Sequence, residues 1–374
     1  MTLIALIITL FYVVLIGSFV FGFDKVEEFQ LKDIPAKTKF TIIVPFRNEA
    51  EHLPLLLKSI SELNYPKERF EFIFVDDESS DNSVKLIEKF LGKFHNGSRI
   101  INNNRQTNAP KKDAISTALA IANYEWIVTT DADCILPKYW LDTFDCFIQS
   151  HDVNYIVAPV TYTKVHSFFE RFQVLDFLSL QGATIGGFGI KRPFLCNGAN
   201  LAYRTSLFNT LKGFEGNTNI ASGDDIFLLE KAMKKEPQHV CYLKNLHATV
   251  STIPETNFKN LVSQRLRWAA KTSSYSNLFG KLTGILVLFM NALIICLIMI
   301  TAVGIVPPKV LIYTFLIKFG LDFLLLFKTV RFFNQEHYLL SYFFASILYP
   351  FFSVFVAFAS IFRGYEWKGR TFRT

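Results

Sequence analysis

The chain has 374 residues, of which 51% are hydrophobic and 40 are phenylalanine, and its formal net charge at pH 7 is +7. This apolar content exceeds what a soluble core needs and indicates membrane segments. The positive charge suits a protein that lies beside anionic lipid or handles phosphates. A nucleic-acid partner is not expected, because no basic block interleaved with aromatic residues occurs. Five scattered cysteines argue against a disulfide framework and fit a reducing compartment.

Uncharged apolar stretches occur near both ends of the sequence. Three of them exceed the roughly 20 residues that a helix needs to cross a bilayer: 1–23, 282–308 and 338–362. A fourth stretch, 310–327, carries Lys318 and Asp322, which are expected to pair if they lie in a bilayer. The first stretch is interpreted as a retained anchor rather than a signal peptide, because no basic residue precedes its apolar core and no clear cleavage site follows it.

The sequence leaves open the side of the membrane on which the C-terminus lies. An anchor, a cytosolic domain and three further crossings would place it outside, yet the tail 363–374 is basic and the positive-inside rule favours the cytosol. An interfacial 310–327 segment would return the tail to the cytosol. A last segment that re-enters the membrane and is broken at Pro350 would do the same.

The pattern of residues 38–270 is typical of an α/β domain. Short β-branched and aromatic runs alternate with runs of helical periodicity, and the four predicted strands are 40–45, 70–75, 99–101 and 126–130. This alternation predicts a mainly parallel sheet with helices on both faces, which binds ligands at the carboxyl ends of its strands. Ser83 is expected to cap the helix after the second strand.

The second half of this domain has a weaker pattern. Residues 166–204 contain five glycines and are predicted to form a loop-rich face with close backbone approaches. Two amphipathic helices follow. One opens with Asp224 and Asp225, as the helix dipole favours, and the other is a basic helix just before the next membrane segment.

Acidic pairs follow two of the predicted strands. Asp131 and Asp133 point to one side of a strand end, where two carboxylates can hold a divalent cation together with substrate phosphates. Asp76 and Asp77 can accept hydrogen bonds from a base or a ribose. A solvated turn is the alternative for each pair, since Asp and Ser are also good turn and cap residues.

Two further clusters lie on predicted helices. Of Asp224 and Asp225, one is explained as an N-cap, which leaves the other available as a general base. The stretch QRLRW, 264–268, offers two arginines that match phosphate oxygens and a tryptophan that stacks on a ring. Taken without its context, QRLRW is better explained as part of a basic helix that contacts anionic lipid.

In this order and spacing, the stretches TIIVPFRNEAEHL, VDDESSD, DAD, GDD and QRLRW resemble the motifs of the membrane-bound family-2 glycosyltransferases. That group includes cellulose, chitin and hyaluronan synthases and ceramide glucosyltransferase. The resemblance covers residues 38–270 with the flanking membrane segments, and it implies a GT-A fold. PKKDAISTAL resembles the family's Gly-Lys-x-x-Ala-Leu stretch, with Pro110 or Lys111 at the glycine position, and Asp224 replaces the more usual Glu. EWKGR (366–370) is similar to a C-terminal motif of the family.

The resemblance also implies roles for particular residues. Asp225 would be the general base on the acceptor hydroxyl, with Asp224 beside it. Asp131 and Asp133 would face the diphosphate and its Mg²⁺ or Mn²⁺, with Asp133 as the direct ligand. An acceptor-facing loop would contain Cys196, Asn197 and Gly198. The residues implied to bind the nucleotide-sugar donor are Pro45, Arg47, Glu49, Asp76, Asp77, Lys112, Asp131, Gln264, Arg265, Arg267 and Trp268.

The expected function is inverting transfer of a sugar from a nucleotide-diphosphate donor, UDP by family habit, to a lipid, lipid-linked or glycan acceptor. The expected place is the cytosolic face of a bacterial inner membrane. The expected parts are an anchor 1–23, a GT-A domain 38–270, a membrane region 282–362 of two to three helices and a basic tail 363–374. A processive polysaccharide synthase is the alternative within the class, although the few C-terminal segments favour single or limited transfer. A catalytically silent membrane scaffold and a nucleotidyltransferase of related fold are the alternatives outside it.

Overall fold

The computed structural model describes residues 1–94, 96–271 and 275–372. Arg373 of the predicted basic tail lies outside the described residues. The chain divides into two compact units. The helical unit comprises Met1–Val26, Lys164–Leu195 and Pro254–Thr374, and the sheet unit comprises Glu27–Thr163 and Cys196–Ile253.

Strands and helices are numbered along the whole chain. The strands are β1 (Phe40–Phe46), β2 (Phe70–Asp76), β3 (Arg99–Asn102), β4 (Trp126–Thr129), β5 (Tyr155–Val157), β6 (Val160–Tyr162), β7 (Leu201–Arg204), β8 (Val240–Tyr242), β9 (Val250–Thr252), β10 (Tyr365–Trp367) and β11 (Arg370–Phe372). The helices are α1 (Thr2–Lys25), α2 (Leu53–Ser61), α3 (Ser83–Leu91), α4 (Pro110–Leu119), α5 (Trp140–Ser150), α6 (Phe168–Gly189), α7 (Thr205–Thr210), α8 (Asp224–Lys235), α9 (Phe258–Ala270), α10 (Leu278–Ala302), α11 (Pro308–Phe332) and α12 (Tyr342–Phe362).

The sheet unit is built on a seven-stranded sheet with the order β3-β2-β1-β4-β7-β5-β8. β7 runs antiparallel to its two neighbours, and the other pairs of adjacent strands are parallel. β6 and β9 form a second, parallel pair. The four strands predicted from the sequence correspond to β1 to β4, and the mainly parallel α/β fold is confirmed.

The central strands form because their side chains are apolar on both faces, as a sheet covered by helices on both sides requires. Ile42, Ile43 and Val44 of β1 are completely buried. A buried polar pair in this layer is satisfied, since Thr41 Oγ1 donates to the buried Glu71 carboxylate at 2.7 Å. A rigid apolar layer of this kind holds the ends of the strands in fixed positions.

The expected cap at Ser83 is wrong. α3 begins at Ser83 itself, and Asn82 is the residue before it. The Ser83 hydroxyl oxygen instead accepts the backbone N–H of Glu49 at 2.8 Å. Ser83 therefore joins the loop after β2 to the loop after β1.

The prediction of a loop-rich face at residues 166–204 is wrong where α6 lies. This 22-residue helix begins with a capping box, in which the Ser167 hydroxyl accepts the N–H of Glu170 and the Glu170 carboxylate accepts the N–H of Ser167. The predicted close approaches are confirmed, because a Cβ on Gly186 would lie 2.5 Å from the carbonyl oxygen of Phe19 on α1. The glycines of α6 thus allow close helix packing rather than turns.

The helical unit contains, among the described residues, four helices long and apolar enough to cross a membrane: Thr2–Lys25, Leu278–Ala302, Pro308–Phe332 and Glu336–Phe362. The predicted pair on α11 is confirmed, with Lys318 Nζ 2.5 Å from Asp322 Oδ2, and Tyr12 of α1 donates to the other oxygen of Asp322 at 2.5 Å. The alternative of a last segment broken at Pro350 does not agree with the structure, because α12 continues through that residue.

Candidate active site

The polar clusters of the sheet unit meet at one edge of the main sheet. β1, β2 and β4 are parallel, so their carboxyl ends lie at the same edge. β7 is antiparallel, which brings its first residues to that edge as well, with Leu201 opposite Thr129 at the end of β4. The segments after β4 and before β7 therefore lie side by side.

A group of charged residues, called below the carboxylate cluster, consists of Lys111, Asp131, Asp224 and Asp225. Lys111 Nζ lies 2.6 Å from Asp131 Oδ1 and 3.4 Å from Asp224 Oδ2. The backbone N–H of Gly198 donates to Asp225 Oδ2 at 3.2 Å. The acids Asp131, Asp224 and Asp225, which were predicted on separate elements, are thus brought together. Lys111, which was not among the predicted site residues, lies between them.

The ammonium of Lys111 is held in its charged form. Burial alone disfavours the charge, but the carboxylates of Asp131 and Asp224 outweigh this effect, so the pKa of Lys111 is raised above its ordinary value of 10.5. A cation is therefore fixed between two carboxylates at the sheet edge. An anionic ligand at this edge would meet a positive charge as well as the acids.

This charge predicts how the cluster responds to pH. Because the folded-state pKa is raised, the stabilisation by the Lys111 ammonium is complete below the ordinary lysine pKa and is lost as pH rises through the folded-state pKa. The difference in thermal midpoint between the wild type and Lys111→Met should therefore stay constant from about pH 7 to about pH 9. Thermal unfolding at several pH values measures this. A difference that disappears within that range would contradict the assignment.

Asp225 is the most enclosed acid of the cluster, with 8% of its surface exposed. It lies in the first turn of α8, whose start is set by Gly223 in the left-handed conformation at φ 83°. Its Oδ1 accepts the N–H of Ile226 at 2.7 Å. Backbone donors therefore fix the orientation of this carboxylate at the start of α8.

Two stacked tyrosines line the interior beside Asp225. The rings of Tyr155 and Tyr203 lie 6.0 Å apart and nearly parallel. The Tyr155 hydroxyl donates to the carbonyl oxygen of Asp225 at 3.4 Å. Burial, with Cys196 and Asp225 nearby, raises the pKa of Tyr155, so its hydroxyl remains protonated.

Gly198 leaves no room for a side chain at the cluster. An added Cβ would lie 2.9 Å from Asp224 Oδ2 and 3.2 Å from Lys111 Nζ. We expect Gly198→Ala to displace both groups and to lower the transfer rate by about 10- to 100-fold, since small misplacements of reacting groups are costly. Gly92→Ala is the matched control, because its Cβ would make only an ordinary contact of 3.6 Å. Equal rates for the two variants would rule out a functional role for this close approach.

Asp131 and Asp133 offer carboxylate oxygens suited to Mg²⁺ or Mn²⁺. Asp131 is partly exposed and already paired with Lys111, while Asp133 lies next to the buried Cys134. Burial and the two aspartates raise the pKa of Cys134, which keeps its thiol protonated. The described residues contain no group of three or more His, Cys, Asp or Glu placed to hold a metal ion. Two carboxylates completed by substrate phosphates are compatible with this.

Asp77 is the centre of a second polar group at the end of β2. Arg105 Nε donates to Asp77 Oδ1 at 2.6 Å, and Asn103 donates to the same oxygen at 2.8 Å. Arg47 donates to the carbonyl oxygens of Asp77 and Glu78 at 2.6 and 3.0 Å. Arg47 and Asp77, which the sequence analysis assigned to the nucleotide, thus lie in contact, and Arg105 and Asn103, which it did not name, join them.

Three other residues proposed for the nucleotide, Pro45, Glu49 and Asp76, make contacts that support the fold. Pro45 lies opposite Val75 within the sheet. Glu49 is buried with its carboxylate 3.0 Å from His52 Nδ1. Asp76 Oδ1 accepts the N–H of Ser79 at 3.0 Å, which agrees with the turn alternative for this acid.

Lys112 contacts the backbone of the loop before α8. It is 1% exposed, and its Nζ donates to the carbonyl oxygens of Asn217 and Ile220 at 2.7 and 2.9 Å. These contacts hold the loop that leads into Asp224. Lys111 therefore belongs to the carboxylate cluster, and Lys112 supports the backbone of the loop that precedes Asp224.

The QRLRW residues lie on α9 in the helical unit. Arg265 is buried and paired with Asp176 of α6, with Nε 2.8 Å from Oδ2. Trp268 lies against Phe177, with 6.1 Å between ring centroids, and Arg267 is half-buried. α9 also packs its apolar side, with Leu266 at the centre, on α12. Arg265 thus has a structural partner that the phosphate-binding interpretation did not include.

Two protein-family models match the chain. Glycosyl transferase family 2 matches residues 41–210, and Glycosyl transferase family group 2 matches residues 126–361, which is more than half of the chain. Together they cover residues 41–361, which is most of both units.

Two curated relatives named as a transferase and a synthase of sugar polymers also match parts of the chain. The chain is 31% identical over 123 residues to the poly(ribitol-phosphate) beta-N-acetylglucosaminyltransferase TarS of Staphylococcus aureus, covering 33% of this chain and 21% of that protein. It is 25% identical over 284 residues to the poly-beta-1,6-N-acetyl-D-glucosamine synthase of Staphylococcus aureus, covering 68% of this chain and 61% of that protein. The chain thus spans about a fifth to three fifths of the length of these relatives.

A solved structure supports the fold. The mannosyltransferase PcManGT from Pyrobaculum calidifontis, in complex with GDP-Man and Mn²⁺, superposes with a TM-score of 0.55 at 17% identity, covering 92% of this chain and 98% of that one. The seven-stranded sheet with its acidic edge and these matches agree with the resemblance found in the sequence. The chain belongs to the family-2 glycosyltransferases and has their GT-A fold.

Proposed function

We propose that this protein is an inverting glycosyltransferase that moves a sugar from a UDP-sugar to a lipid, lipid-linked or glycan acceptor. The observation that carries the proposal is the carboxylate cluster, in which Lys111 bridges Asp131 of the D-x-D stretch and Asp224 of the acidic pair. A group that binds a diphosphate and a group that activates an acceptor need this proximity. A silent scaffold would not need to keep them together.

The chemistry follows from the positions of the chain's own groups. Asp225 takes the proton of the acceptor hydroxyl as it attacks the sugar, which contributes about 10²- to 10⁴-fold to the rate. Lys111 places an ammonium where negative charge develops on the leaving diphosphate. A divalent cation held by Asp133, with Asp131 beside it, would supply further charge neutralisation when bound. A single displacement inverts the anomeric centre.

The base end of the donor is assigned to the Asp77 group. Asp77 with Arg47 and Arg105 presents an acceptor flanked by guanidinium groups at the end of β2. Such a site suits a uracil or ribose edge on one side and phosphate on the other. From the family resemblance, we assign Arg267 and Trp268 of α9 to the diphosphate and the acceptor.

The membrane setting is part of the proposal. The four apolar helices found among the described residues fit a membrane protein, and we assign the sheet unit to the cytosolic face of a bacterial inner membrane. The functional boundaries proposed are an anchor 1–23, a transferase region 38–270, a membrane region 282–362 and a basic tail 363–374.

Among donors, an N-acetylglucosamine nucleotide is the first to test, because the names of both curated relatives refer to that sugar. The match to a poly-beta-1,6-N-acetyl-D-glucosamine synthase over 68% of this chain also makes processive synthesis the second candidate function. The two candidates differ in their product, since limited transfer gives one discrete glycoconjugate and processive synthesis gives a growing polymer.

The test uses the full chain, purified in native-membrane lipid with Mg²⁺ or Mn²⁺. UDP- and GDP-sugars are screened for nucleotide release, with and without extracted lipids. Release that requires lipid supports transfer to a lipid acceptor, and release without added lipid together with a growing polymer supports the processive candidate. Nucleotide binding without release from any donor, in the presence of lipid and glycan acceptors, would favour the silent scaffold.

Metal removal gives a separate prediction. Chelation with EDTA should lower the transfer rate by about 10²-fold or more, because Lys111 alone neutralises only part of the diphosphate charge. Excess Mn²⁺ or Mg²⁺ should restore the rate. Asp133→Asn should raise the Mn²⁺ concentration needed for half-maximal rate. Full activity in EDTA would remove the cation from the proposal.

A further inference from the structure

Arg265 connects two helices of the helical unit through a buried ion pair. Its Nε donates to Asp176 Oδ2 of α6 at 2.8 Å, and both side chains are less than a tenth exposed. A guanidinium and a carboxylate that are both taken out of water must satisfy each other, since either one alone would be strongly destabilising. The geometry thus fixes where the guanidinium lies.

The same guanidinium contacts the residues on either side of it in the QRLRW stretch. Arg265 Nη1 donates to the side-chain oxygen of Gln264. Its guanidinium carbon lies 4.2 Å from the centre of the Trp268 ring, which is stacking distance for a cation on an aromatic face. One buried group therefore touches both Gln264 and Trp268.

The contacts continue into a closed ring of polar groups between α6 and the start of α9. Gln264 Nε2 donates to Glu255 Oε1 at 3.2 Å. The Glu255 backbone exchanges two hydrogen bonds of 2.9 Å with the Gln173 side chain, and Gln173 lies three residues before Asp176 on the same helix. Gln264 is thus held from both ends.

We propose that Arg265, held by Asp176, is a positioning residue that sets the side chains of Gln264 and Trp268 for the donor's diphosphate and the acceptor. The inference rests on the proposed function and corrects the donor-binding role assigned to Arg265 from the sequence. Arg265 acts through its neighbours, while Gln264, Arg267 and Trp268 remain the groups that meet the ligand.

The test compares the same Arg→Gln change at two positions of the helical unit. Arg265→Gln removes the guanidinium from Asp176, Gln264 and Trp268. Arg171→Gln is the matched control, because Arg171 lies on α6, the helix of Asp176, and its Nε donates to Ser341 Oγ at 2.8 Å. Asp176→Asn removes the other partner of the ion pair. Donor KM and kcat are measured for each full-length variant in lipid, per folded protein.

We expect Arg265→Gln and Asp176→Asn each to lower kcat/KM for the donor by about tenfold or more, and the double variant to lower it no further, since both remove one interaction. Arg171→Gln should leave kcat/KM within about twofold of the wild type. If Arg265→Gln and Asp176→Asn lower only the thermal midpoint and leave KM and kcat unchanged, the pair is a structural contact and the inference is wrong.

A second readout does not depend on activity. The emission of Trp268, obtained by subtracting the spectrum of Trp268→Phe, should change in Arg265→Gln and in Asp176→Asn but not in Arg171→Gln. An unchanged Trp268 spectrum in both variants would overturn the positioning role. Absence of transfer by the wild type, with the spectral changes present, would instead count against the proposed function.

Discussion

Asp225→Asn should lower the transfer rate by about 10²- to 10⁴-fold while the affinity for the nucleotide sugar stays within about twofold of the wild type. The amide keeps the shape of the side chain, but its one oxygen can accept the N–H of Ile226 or that of Gly198 and not both, because the two N–H groups bind different oxygens of the carboxylate. It cannot take a proton from an acceptor hydroxyl. The expected defect therefore falls on the chemical step and leaves donor binding intact.

The matched control is Asp152→Asn, the same substitution at a side chain that is 89% exposed. Its rate should equal that of the wild type, as is usual for exposed positions away from a site. Rates are measured as nucleotide release with acceptor lipid, and donor affinity is measured by titration calorimetry. Unchanged transfer by Asp225→Asn would remove Asp225 as the base and would point to Asp224 or to another group.

Lys111→Met should have the second-largest effect. The substitution removes the cation between Asp131 and Asp224, so the two carboxylates repel each other and the leaving diphosphate loses a positive neighbour. We expect a loss of about 10²-fold or more in the transfer rate, comparable to removal of one preorganised donor from a transition-state site. Donor KM should rise as well, because the ammonium also attracts the ground-state diphosphate.

Lys138→Met is the control for this substitution, because Lys138 is exposed and its ammonium lies over the Tyr139 ring. Added Mn²⁺ should rescue part of the Lys111→Met defect, since a second cation relieves the repulsion between the acids. If the Lys111→Met protein transferred sugar at the wild-type rate, the contacts of Lys111 with Asp131 and Asp224 would only stabilise the site in the absence of ligand. The lysine would then be removed from the mechanism.

The sequence predicted the central sheet because its signals are local. Each of β1 to β4 is a short apolar run ended by polar residues, and the acids at these ends fall at one sheet edge once the strands are parallel. The family motifs independently identified the same acids as site residues. β5 and β8 were not predicted, since three-residue strands have too few residues to show alternation.

The sequence could not predict which of Lys111 and Lys112 contacts the carboxylates. Adjacent residues on a helix point about 100° apart, so one of the two faces the cluster and the other faces the interior. Which one does so depends on the rotation of α4 about its axis, which is set by packing. The helix α6 was not predicted because its glycines were interpreted as turn formers. Glycines also permit the close packing of helices, as Gly186 does here.

Arg105 and Arg265 show a different limit. Arg105 lies in an irregular segment, and its partner Asp77 is 28 residues away, so no spacing rule joins them. Arg265 was assigned to phosphate with the rest of its stretch, whereas the structure pairs it with Asp176, 89 residues away. Long-range pairs of charges depend on the fold and cannot be inferred from local patterns.

The most direct test of the central claim is the anomeric configuration of the product. Transfer from an α-linked UDP-sugar by one displacement, with Asp225 as base, predicts a β-linked product. Proton NMR of the isolated product, through the coupling constant of the anomeric proton, distinguishes the two configurations for a gluco-configured sugar. A β linkage is the predicted result. An α linkage would contradict a single displacement and, with it, the role assigned to Asp225.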